Sequence, residues 1–507
     1  MRSDLQTMAP VPKIFFLIFV VVSSYADDYQ INNKRFPSNF MFGVGTSSLQ
    51  IEGAPNEDGK TETMWERYIA DHPGYVADGS DVSVACDSYH QYKRDVAMVK
   101  ELGVTHYRFS LAWTRILPNG VNDYVNPLGV QYYKNLIKEL KANNIEPVVS
   151  IFHWDIPQVL QDMDGFLNDS IVDWYTDYAR VCFEEFGDDV KYWATFNEPK
   201  TYCNGGYGYA YNPPQIPSQG LLEYVCSHNL LRAHAKTYRM YEQEFRPRQG
   251  GKIAIVLDTY WYRGATDSEE DKTAAATALH FDLGWYANPV FNGDYPEIMK
   301  SRIAARSAAE GRAQSRLPEF TDAEKAALKG SADYFALNTY TGNLVKSIPD
   351  PPIFNIPSRY QDVGVLTYTD PKWESSSLDW LKVAPWGIVD LLNFIKNNYN
   401  DPDIMVTENG LCDKGGLDDP RRVNYHKLYL SYIHDAMIND QVKVFGYTAW
   451  SLMDNFEWAS GYTQKFGLFS VDFSSPNRTR TIKQSGKFYQ NVCHTRCLLD
   501  EDQCADY

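Results

Sequence analysis

Short runs of apolar and β-branched residues recur along this chain, and most of them end in polar residues. Eight such runs can be recognised, mostly separated by stretches with helix-like spacing. Buried parallel strands have this near-continuous apolar character, because both faces of a parallel sheet are covered. The predicted strands are MFGVGTS from Met41, THYRFS from Thr105, EPVVSIF from Glu146, YWATFN from Tyr192, KIAIVL from Lys252, YFALN from Tyr334, IMVTE from Ile404 and VFGYTAW from Val444.

The stretches between these runs place apolar and charged residues at the spacing of amphipathic helices. The predicted helices include Tyr89 to Leu102, Gly129 to Asn143, Ser170 to Phe186, Tyr224 to Phe245 and Arg421 to Asn439. A count of eight strands favours a barrel over a doubly wound sheet. We therefore predict an α/β protein, a single (β/α)8 TIM barrel with long βα-loop insertions after the first, fourth, fifth and sixth strands.

The N-terminus predicts a secretory signal. Arg2 and Lys13 precede the apolar stretch IFFLIFVVV from Ile14, and small residues follow up to Ala26. This stretch is too short to span a bilayer, but its order of charge, apolar core and small residues is typical of a cleaved signal peptide. We predict a signal peptide at 1–26, a barrel domain at 27–492 and an acidic, cysteine-containing tail at 493–507. A buried N-terminal helix is the alternative.

The overall charge excludes some classes of partner. The chain has 48 lysines and arginines against 65 aspartates and glutamates, a formal net charge of −17. Such a surface repels polyanions, and no basic stripe predicts binding to nucleic acid or anionic lipid. Neutral sugars are neither attracted nor repelled by this negative charge. We expect a soluble protein that is secreted to an extracellular space or digestive lumen, or delivered to a lysosome-like compartment; its oligomeric state is left open.

Cysteines and glycosylation motifs agree with export. Eight cysteines in an exported chain predict some disulfides, although their spacing does not give the connectivity. A metal cluster in the tail is a weak alternative, because no tight pair of cysteines with histidine partners is present. Two N-glycosylation motifs begin at Asn168 and Asn477.

Two glutamates at strand ends carry the candidate chemistry. Glu198 lies in TFNEP and Glu408 lies in VTENG, and a barrel delivers the ends of all its strands to one face. Cleavage of a glycosidic bond with retention needs a proton donor and a carboxylate nucleophile about 5 Å apart. The donor must stay protonated while the nucleophile stays ionised. Arg108 and Tyr340, near the ends of two other strands, could stabilise that charge.

Several segments together resemble glycoside hydrolase family 1, the β-glucosidase family, over roughly Phe36 to Tyr489. The matching segments are FMFGVGTSSLQIEG, DSYHQYKRDV, YRFSLAWTRILPNG, FHWDIPQ, TFNEP, HNLLRAHA, VTENG and WSLMDNFEWASGY. The resemblance implies that Glu198 is the acid/base and Glu408 the nucleophile, and that no metal or cofactor is needed. It also implies exo-acting hydrolysis that releases terminal β-D-glucose. The implied sugar-binding residues are Gln50, His153, Asn197, Trp450, Glu457 and Trp458.

Two alternatives remain at this point. Insect-type thioglucosidases of the family, which act on glucosinolates, keep the acid glutamate and add cationic groups for the sulfate of their substrate. Asn204 is not cationic, and Lys200 is expected to be a surface lysine. The second alternative is a catalytically silent relative that binds sugars or a receptor. Such proteins have usually lost one of the two glutamates, whereas both are present here. The aglycone, and any tolerance for galactose or fucose, cannot be predicted.

Overall fold

A closed barrel of eight parallel strands forms the centre of the computed structural model, which describes residues 29–354 and 356–506. The barrel confirms the eight predicted strands and the predicted fold class. The strands are β1 (Met41–Gly45), β2 (His106–Ser110), β3 (Glu146–Phe152), β4 (Tyr192–Asn197), β5 (Lys252–Asp258), β6 (Phe335–Asn338), β7 (Ile404–Asn409) and β8 (Val444–Trp450).

The strands follow one another around the barrel in chain order, and β8 closes it by pairing with β1. Because every pairing within the barrel is parallel, all eight C-terminal ends lie at the same face. The loops that follow the strands surround this face, and residues at the strand ends can meet there whatever their separation in the sequence.

Helices cover the outside of the barrel. The helix Pro127–Ala142 shows why they form: Asn126 caps it through the backbone N–H of Leu128, and its buried residues recur at helical spacing. The α-helices are Ser48–Ile51, Met64–Asp71, Ser88–Glu101, Trp113–Ile116, Pro127–Ala142, Gln158–Gln161, Ile171–Phe186, Pro199–Cys203, Leu222–Met240, Arg246–Gln249, Glu269–Leu279, Trp285–Asn292, Glu297–Ala309, Asp322–Leu328, Arg359–Val363, Gly387–Asn398, Pro420–Asn439 and Gln484–Thr495.

The insertions contain strands that the sequence patterns did not predict. The loops after β5 and β6 supply a three-stranded sheet, and the segment after β8 supplies a two-stranded one. The first sheet consists of Trp261–Gly264, Gly342–Ser347 and Val365–Tyr368, and the second of Phe469–Val471 and Arg480–Ile482. The first sheet joins two separate loops, so it fixes one part of the rim of the barrel.

The C-terminal tail packs against the barrel. The predicted boundary between 492 and 493 falls inside the helix Gln484–Thr495, so it does not mark a structural break. Tyr489 in this helix donates a hydrogen bond to the carbonyl of Gly43 at 2.9 Å. Beyond the helix, Cys497 is buried and forms a disulfide with Cys504.

The N-terminal prediction is not tested by the fold. The predicted signal peptide at 1–26 lies outside the described residues. Within residues 29–354 and 356–506, no helix is both long and apolar enough to cross a membrane.

Candidate active site

The C-terminal face of the barrel holds a pocket of about 470 Å³. Residues from the ends of β3 to β8 line it together with loop residues, so its chemistry comes from many separate parts of the chain. The lining residues include His153, Trp154, Asn197, Glu198, Thr201, Tyr211, Asp258, Tyr260, Asn338, Tyr340, Leu378, Trp380, Glu408, Trp450, Glu457 and Trp458.

Both candidate glutamates line this pocket. Glu198 follows β4 directly and has a left-handed backbone conformation, with φ 47°, at the start of the helix Pro199–Cys203. Its backbone N–H donates to the carbonyl of Val256 on β5 at 3.0 Å, which holds this turn against the neighbouring strand. Glu408 lies within β7 and is buried. Two distant parts of the sequence thus contribute carboxyl groups to one cavity.

Glu408 is held by two donors, one for each carboxylate oxygen. The Arg108 guanidinium donates to Oε1 at 2.6 Å, and the Tyr340 hydroxyl donates to Oε2 at 2.7 Å. Burial, and then the negative charge of Glu408, raise the pKa of Tyr340 well above its usual value, so this phenol keeps its proton. The carboxylate is therefore oriented by a cation and by a permanent hydrogen-bond donor.

Glu198 has a different environment. Its Oε1 accepts a hydrogen bond from the Asn338 amide at 2.8 Å. Burial raises the pKa of Glu198 well above its usual value, and the negative charges of Asp258 and Glu408 raise it further. These effects favour the protonated form of this carboxyl group. The pocket thus contains one carboxyl group whose environment favours its protonated form and another that accepts hydrogen bonds from a guanidinium and a phenol.

Asn197 and His153 lie next to this pair. The Asn197 Oδ1 accepts from Arg108 at 2.6 Å, and its amide nitrogen lies 3.2 Å from the His153 Nε2. Burial, and then the positive charge of Arg108, lower the pKa of His153 well below its usual value, so the imidazole is neutral. A neutral imidazole can donate to a sugar hydroxyl without adding a second cation to the site.

Aromatic rings and a third carboxyl group form the deep wall. The His153 ring lies nearly parallel to those of Trp450 and Trp458, with centroids 6.0 Å and 5.9 Å away. Glu457 is partly buried, and desolvation followed by the charge of Glu408 raises its pKa to about 8. Rings beside polar groups suit a sugar, which presents both C–H faces and hydroxyls.

Gln50 lies behind the wall of the pocket. Its amide donates to the Asn455 side chain at 3.0 Å and to the Phe456 carbonyl at 2.8 Å, and its Oε1 accepts from Ser47 at 2.6 Å. These contacts hold the segment that leads into Glu457. Direct contact between Gln50 and a sugar stays a prediction.

Trp154, Asn338 and Asp258 are among the pocket residues that the sequence patterns did not identify. Trp154 donates to the Asn197 carbonyl at 2.9 Å, Asn338 contacts Glu198, and Asp258 influences the pKa of Glu198. Only their position in the strands could have indicated a role for two of them. Asn338 is the last residue of β6 and Asp258 the last residue of β5, just as Asn197 is the last residue of β4. Polar residues at strand ends also begin ordinary loops, so position alone did not distinguish them.

Lys200 is not a surface lysine, so that expectation was wrong. Its side chain is 9% exposed, and its ammonium lies 2.9 Å from Asp258 and 2.9 Å from Asp282. Burial alone would lower the pKa of Lys200, but these two carboxylates raise it well above its usual value. The cation is thus surrounded by protein carboxylates behind the pocket. Asn204 is also buried, and it is not among the lining residues.

A disulfide anchors the segment that follows Glu198. Cys203 ends the helix that begins after Glu198, and it is bonded to Cys226 in the helix Leu222–Met240. The sequence predicted disulfides without their pairing. The four remaining cysteines are not in disulfides: Cys86, Cys182 and Cys412, which are buried, and Cys493, which is partly exposed.

Comparison with known proteins gives matches along nearly the whole chain. Myrosinase 1 from Brevicoryne brassicae is 44% identical over 91% of this chain and 99% of its own length. The human cytosolic beta-glucosidase is 40% identical over 91% of this chain and 99% of its own length. Both relatives therefore correspond to this chain almost from end to end.

Solved structures show the same fold. The aphid myrosinase structure has a TM-score of 0.88 and 43% identity, over 91% of this chain and all of the aphid chain (100%). A beta-glucosidase from the fungus Humicola insolens, solved in complex with glucose, has a TM-score of 0.84 and 35% identity, over 91% and 98% of the two chains. The model of glycosyl hydrolase family 1 matches residues 32–497. This chain therefore belongs to glycosyl hydrolase family 1 and is a glycoside hydrolase of the β-glucosidase type.

Proposed function

We propose that Glu198 and Glu408 together hydrolyse terminal β-D-glucosides with retention of configuration. The observation that carries the proposal is the contrast between the two carboxyl groups: the pKa of Glu198 is raised by burial and by its neighbours, whereas Glu408 contacts a guanidinium and a phenol. Environments that push two carboxyl groups towards different protonation states assign the acid and the nucleophile.

In the first step, a Glu408 oxygen bonds to the anomeric carbon as the bond from that carbon to the leaving oxygen breaks. Glu198 gives its proton to the leaving oxygen, which departs as the free aglycone alcohol. The charge of the transition state is divided between the sugar ring and the Glu408 carboxylate, which Arg108 and Tyr340 hold in place.

In the second step, Glu198 acts as a base. It takes a proton from a water molecule, whose oxygen bonds to the anomeric carbon as the ester bond to Glu408 breaks. One water is consumed, both carboxyl groups return to their starting states, and glucose leaves with the configuration of the substrate. No metal or cofactor takes part in these steps.

The deep end of the pocket is proposed to hold the glucose. Asn197 is placed to bind the 2-hydroxyl, an interaction that strengthens as positive charge develops on the ring. His153 can donate to a neighbouring hydroxyl, Glu457 and Trp450 are assigned to the 4- and 6-hydroxyls, and Trp458 is assigned to the sugar face. Gln50 is assigned to the same sugar from its position behind this wall.

A mechanism-based inhibitor tests the assignment directly. A 2-deoxy-2-fluoro-β-glucoside with a dinitrophenyl leaving group should label the enzyme, because the fluorine slows the second step more than the activated first step. Mass spectrometry of the digested protein should find the sugar on the peptide that contains Glu408. Label on another carboxyl group, or product of inverted configuration by NMR, would contradict the proposal.

Loss of the Tyr340 hydroxyl should slow catalysis without removing the nucleophile. We expect Tyr340→Phe to lower kcat by about ten- to a hundredfold, because one oriented donor to Glu408 is lost. Steady-state rates on 4-nitrophenyl β-glucoside give the measurement. Tyr334→Phe is the control, since this buried phenol donates to the Trp193 carbonyl at 3.2 Å and does not line the pocket. An equal loss in the control would contradict a specific role.

A second candidate function is S-glucoside hydrolysis, which the similarity to an aphid myrosinase favours. The lining of the pocket supports O-glucosides instead: no lysine or arginine is among its described lining residues, so the lining offers no cation to a sulfate. Parallel assays of cellobiose, salicin and sinigrin separate the two. Turnover of sinigrin at a rate similar to that of salicin would favour the thioglucosidase.

We propose that the protein is secreted through the signal peptide at 1–26 and glycosylated on the way. Asn477 is exposed, whereas Asn168 is partly buried and its amide donates to the Met163 carbonyl at 3.0 Å. We therefore expect Asn477 to carry the more readily added glycan.

Expression in a eukaryotic secretory host tests this expectation. Endoglycosidase treatment should shift the mobility of the wild-type protein on a gel. Asn477→Gln and Thr479→Ala should lose the same glycan, because each destroys the same motif. A wild-type protein that enters the medium without any shift would contradict glycosylation at this site. Retention of the full chain inside the cell would contradict the signal peptide.

A further inference from the structure

The pocket has a buried end and an exposed end. Trp450 and His153 are 4% and 3% exposed, whereas Tyr211 and Trp380 are 50% and 41% exposed. Because the proposed function places glucose at the buried end, the leaving group must lie towards the exposed end. The role of the exposed end therefore rests on that proposed function.

The exposed end combines aromatic rings with one additional carboxylate. The rings of Tyr260 and Trp380 have centroids 6.1 Å apart and planes inclined by 29°, and Tyr211 also lines the pocket. Such rings suit a flat aromatic or apolar leaving group. Asp258 ends β5 and lines the pocket beside them.

The Asp258 carboxylate is only partly neutralised. Its Oδ2 lies 2.9 Å from the Lys200 ammonium and accepts from the Thr201 hydroxyl at 2.8 Å. Its Oδ1 is buried and has no hydrogen-bond partner. Because no protein donor binds this oxygen, its negative charge is not offset by a hydrogen bond on that side.

Lys200 pairs with Asp258 but is not among the residues that line the pocket. Its ammonium also donates to both oxygens of Asp282 at 2.9 Å, and Asp282 lies 3.6 Å from the Arg359 guanidinium. Asp258 is the one member of this row of alternating charges that lines the described pocket. The negative end of the row therefore lines the pocket, whereas Lys200 and Arg359 are not among the lining residues.

The other carboxyl groups of the pocket do not provide the same field. Burial and neighbouring charge raise the pKa of Glu198 well above its usual value and that of Glu457 to about 8, and Glu408 is paired with Arg108. We propose that Asp258 is a specificity residue that makes the leaving-group end of the pocket select uncharged aromatic aglycones and reject anionic ones, such as those carrying a carboxylate or a sulfate.

A pair of substrates of matched shape isolates this effect. The measured quantity is a ratio of two specificity constants (kcat/KM), the value for the neutral substrate 4-carbamoylphenyl β-glucoside divided by the value for the anionic substrate 4-carboxyphenyl β-glucoside. Comparing this ratio between enzymes cancels the intrinsic difference between the two leaving groups.

Asp258→Asn removes the charge and keeps the shape, so it should lower the ratio by about five- to tenfold, as expected for one charge acting over several ångströms in a partly buried site. Asp502→Asn, a change of equal charge in the exposed tail, should leave the ratio unchanged.

A second variant covers the case in which Asp258→Asn does not fold. Lys200→Gln removes the cation behind Asp258 and should raise the ratio, the opposite direction. An unchanged ratio in either folded pocket variant, or an equal shift in Asp502→Asn, overturns the inference. Failure of the proposed function would look different, because the wild-type enzyme would then hydrolyse neither substrate or would not be labelled on Glu408.

Discussion

Replacing Glu408 with alanine should reduce turnover of β-glucosides by about 10⁴-fold or more, because no other group can form the glucosyl ester. Glu408→Gln should be equally inactive although it keeps the size of the side chain. The two variants differ in one respect: alanine leaves room at the anomeric carbon for a small anion. Added azide should therefore restore cleavage of an activated aryl glucoside by Glu408→Ala and yield the α-glucosyl azide.

The configuration of the rescued product is the decisive measurement. Direct attack by azide from the side of the missing carboxylate inverts the anomeric carbon, and NMR distinguishes this product from the β-azide. Both variants remove the partner of the buried Arg108, so thermal unfolding must show that each is folded at the assay temperature. A folded Glu408→Ala enzyme that retains more than about one-tenth of the wild-type rate would contradict its role, since nucleophiles contribute far more.

The barrel was predictable because its signal is local. Each strand appears as a short apolar run, and the run from Tyr192 matches β4 residue for residue. Glu198 and Glu408 were found for the same reason, since each stands at the end of such a run. Chain order then placed them on one face, because parallel strands joined by helices deliver their ends together.

The missed features depend on contacts between distant segments. In the sequence, Lys200 resembles a surface residue. In the fold, Asp258 and Asp282, which follow it by more than fifty positions, both contact its ammonium. The three-stranded sheet pairs Trp261–Gly264 with Gly342–Ser347, and no local pattern specifies that pairing. The leaving-group end of the pocket is made from such segments. The sequence therefore predicted the chemistry of the site better than the selectivity that loops and buried charges give it.

Glu198→Gln should show a loss of activity that depends strongly on the leaving group. For cellobiose or an alkyl glucoside, kcat/KM should fall by about 10²- to 10⁴-fold, because the departing alkoxide needs a proton. For 2,4-dinitrophenyl β-glucoside the first step needs little protonation, and kcat/KM should fall by less than about tenfold. Its kcat should still fall, because Glu198 also acts as the base of the second step, so a burst of dinitrophenol should precede slow turnover.

The pH profile supplies the independent test of Glu198. The protonated form is the active one, so wild-type kcat/KM should decline as pH rises through the raised pKa of this buried carboxyl group. Glu198→Gln should lose that alkaline decline with the dinitrophenyl substrate. A decline that persists near pH 8 would instead report Glu457, whose pKa is about 8, and Glu457→Gln should then remove it. If Glu198→Gln lowered kcat/KM equally for all leaving groups, Glu198 would not be the acid. Only proton donation makes the size of this loss depend on the leaving group.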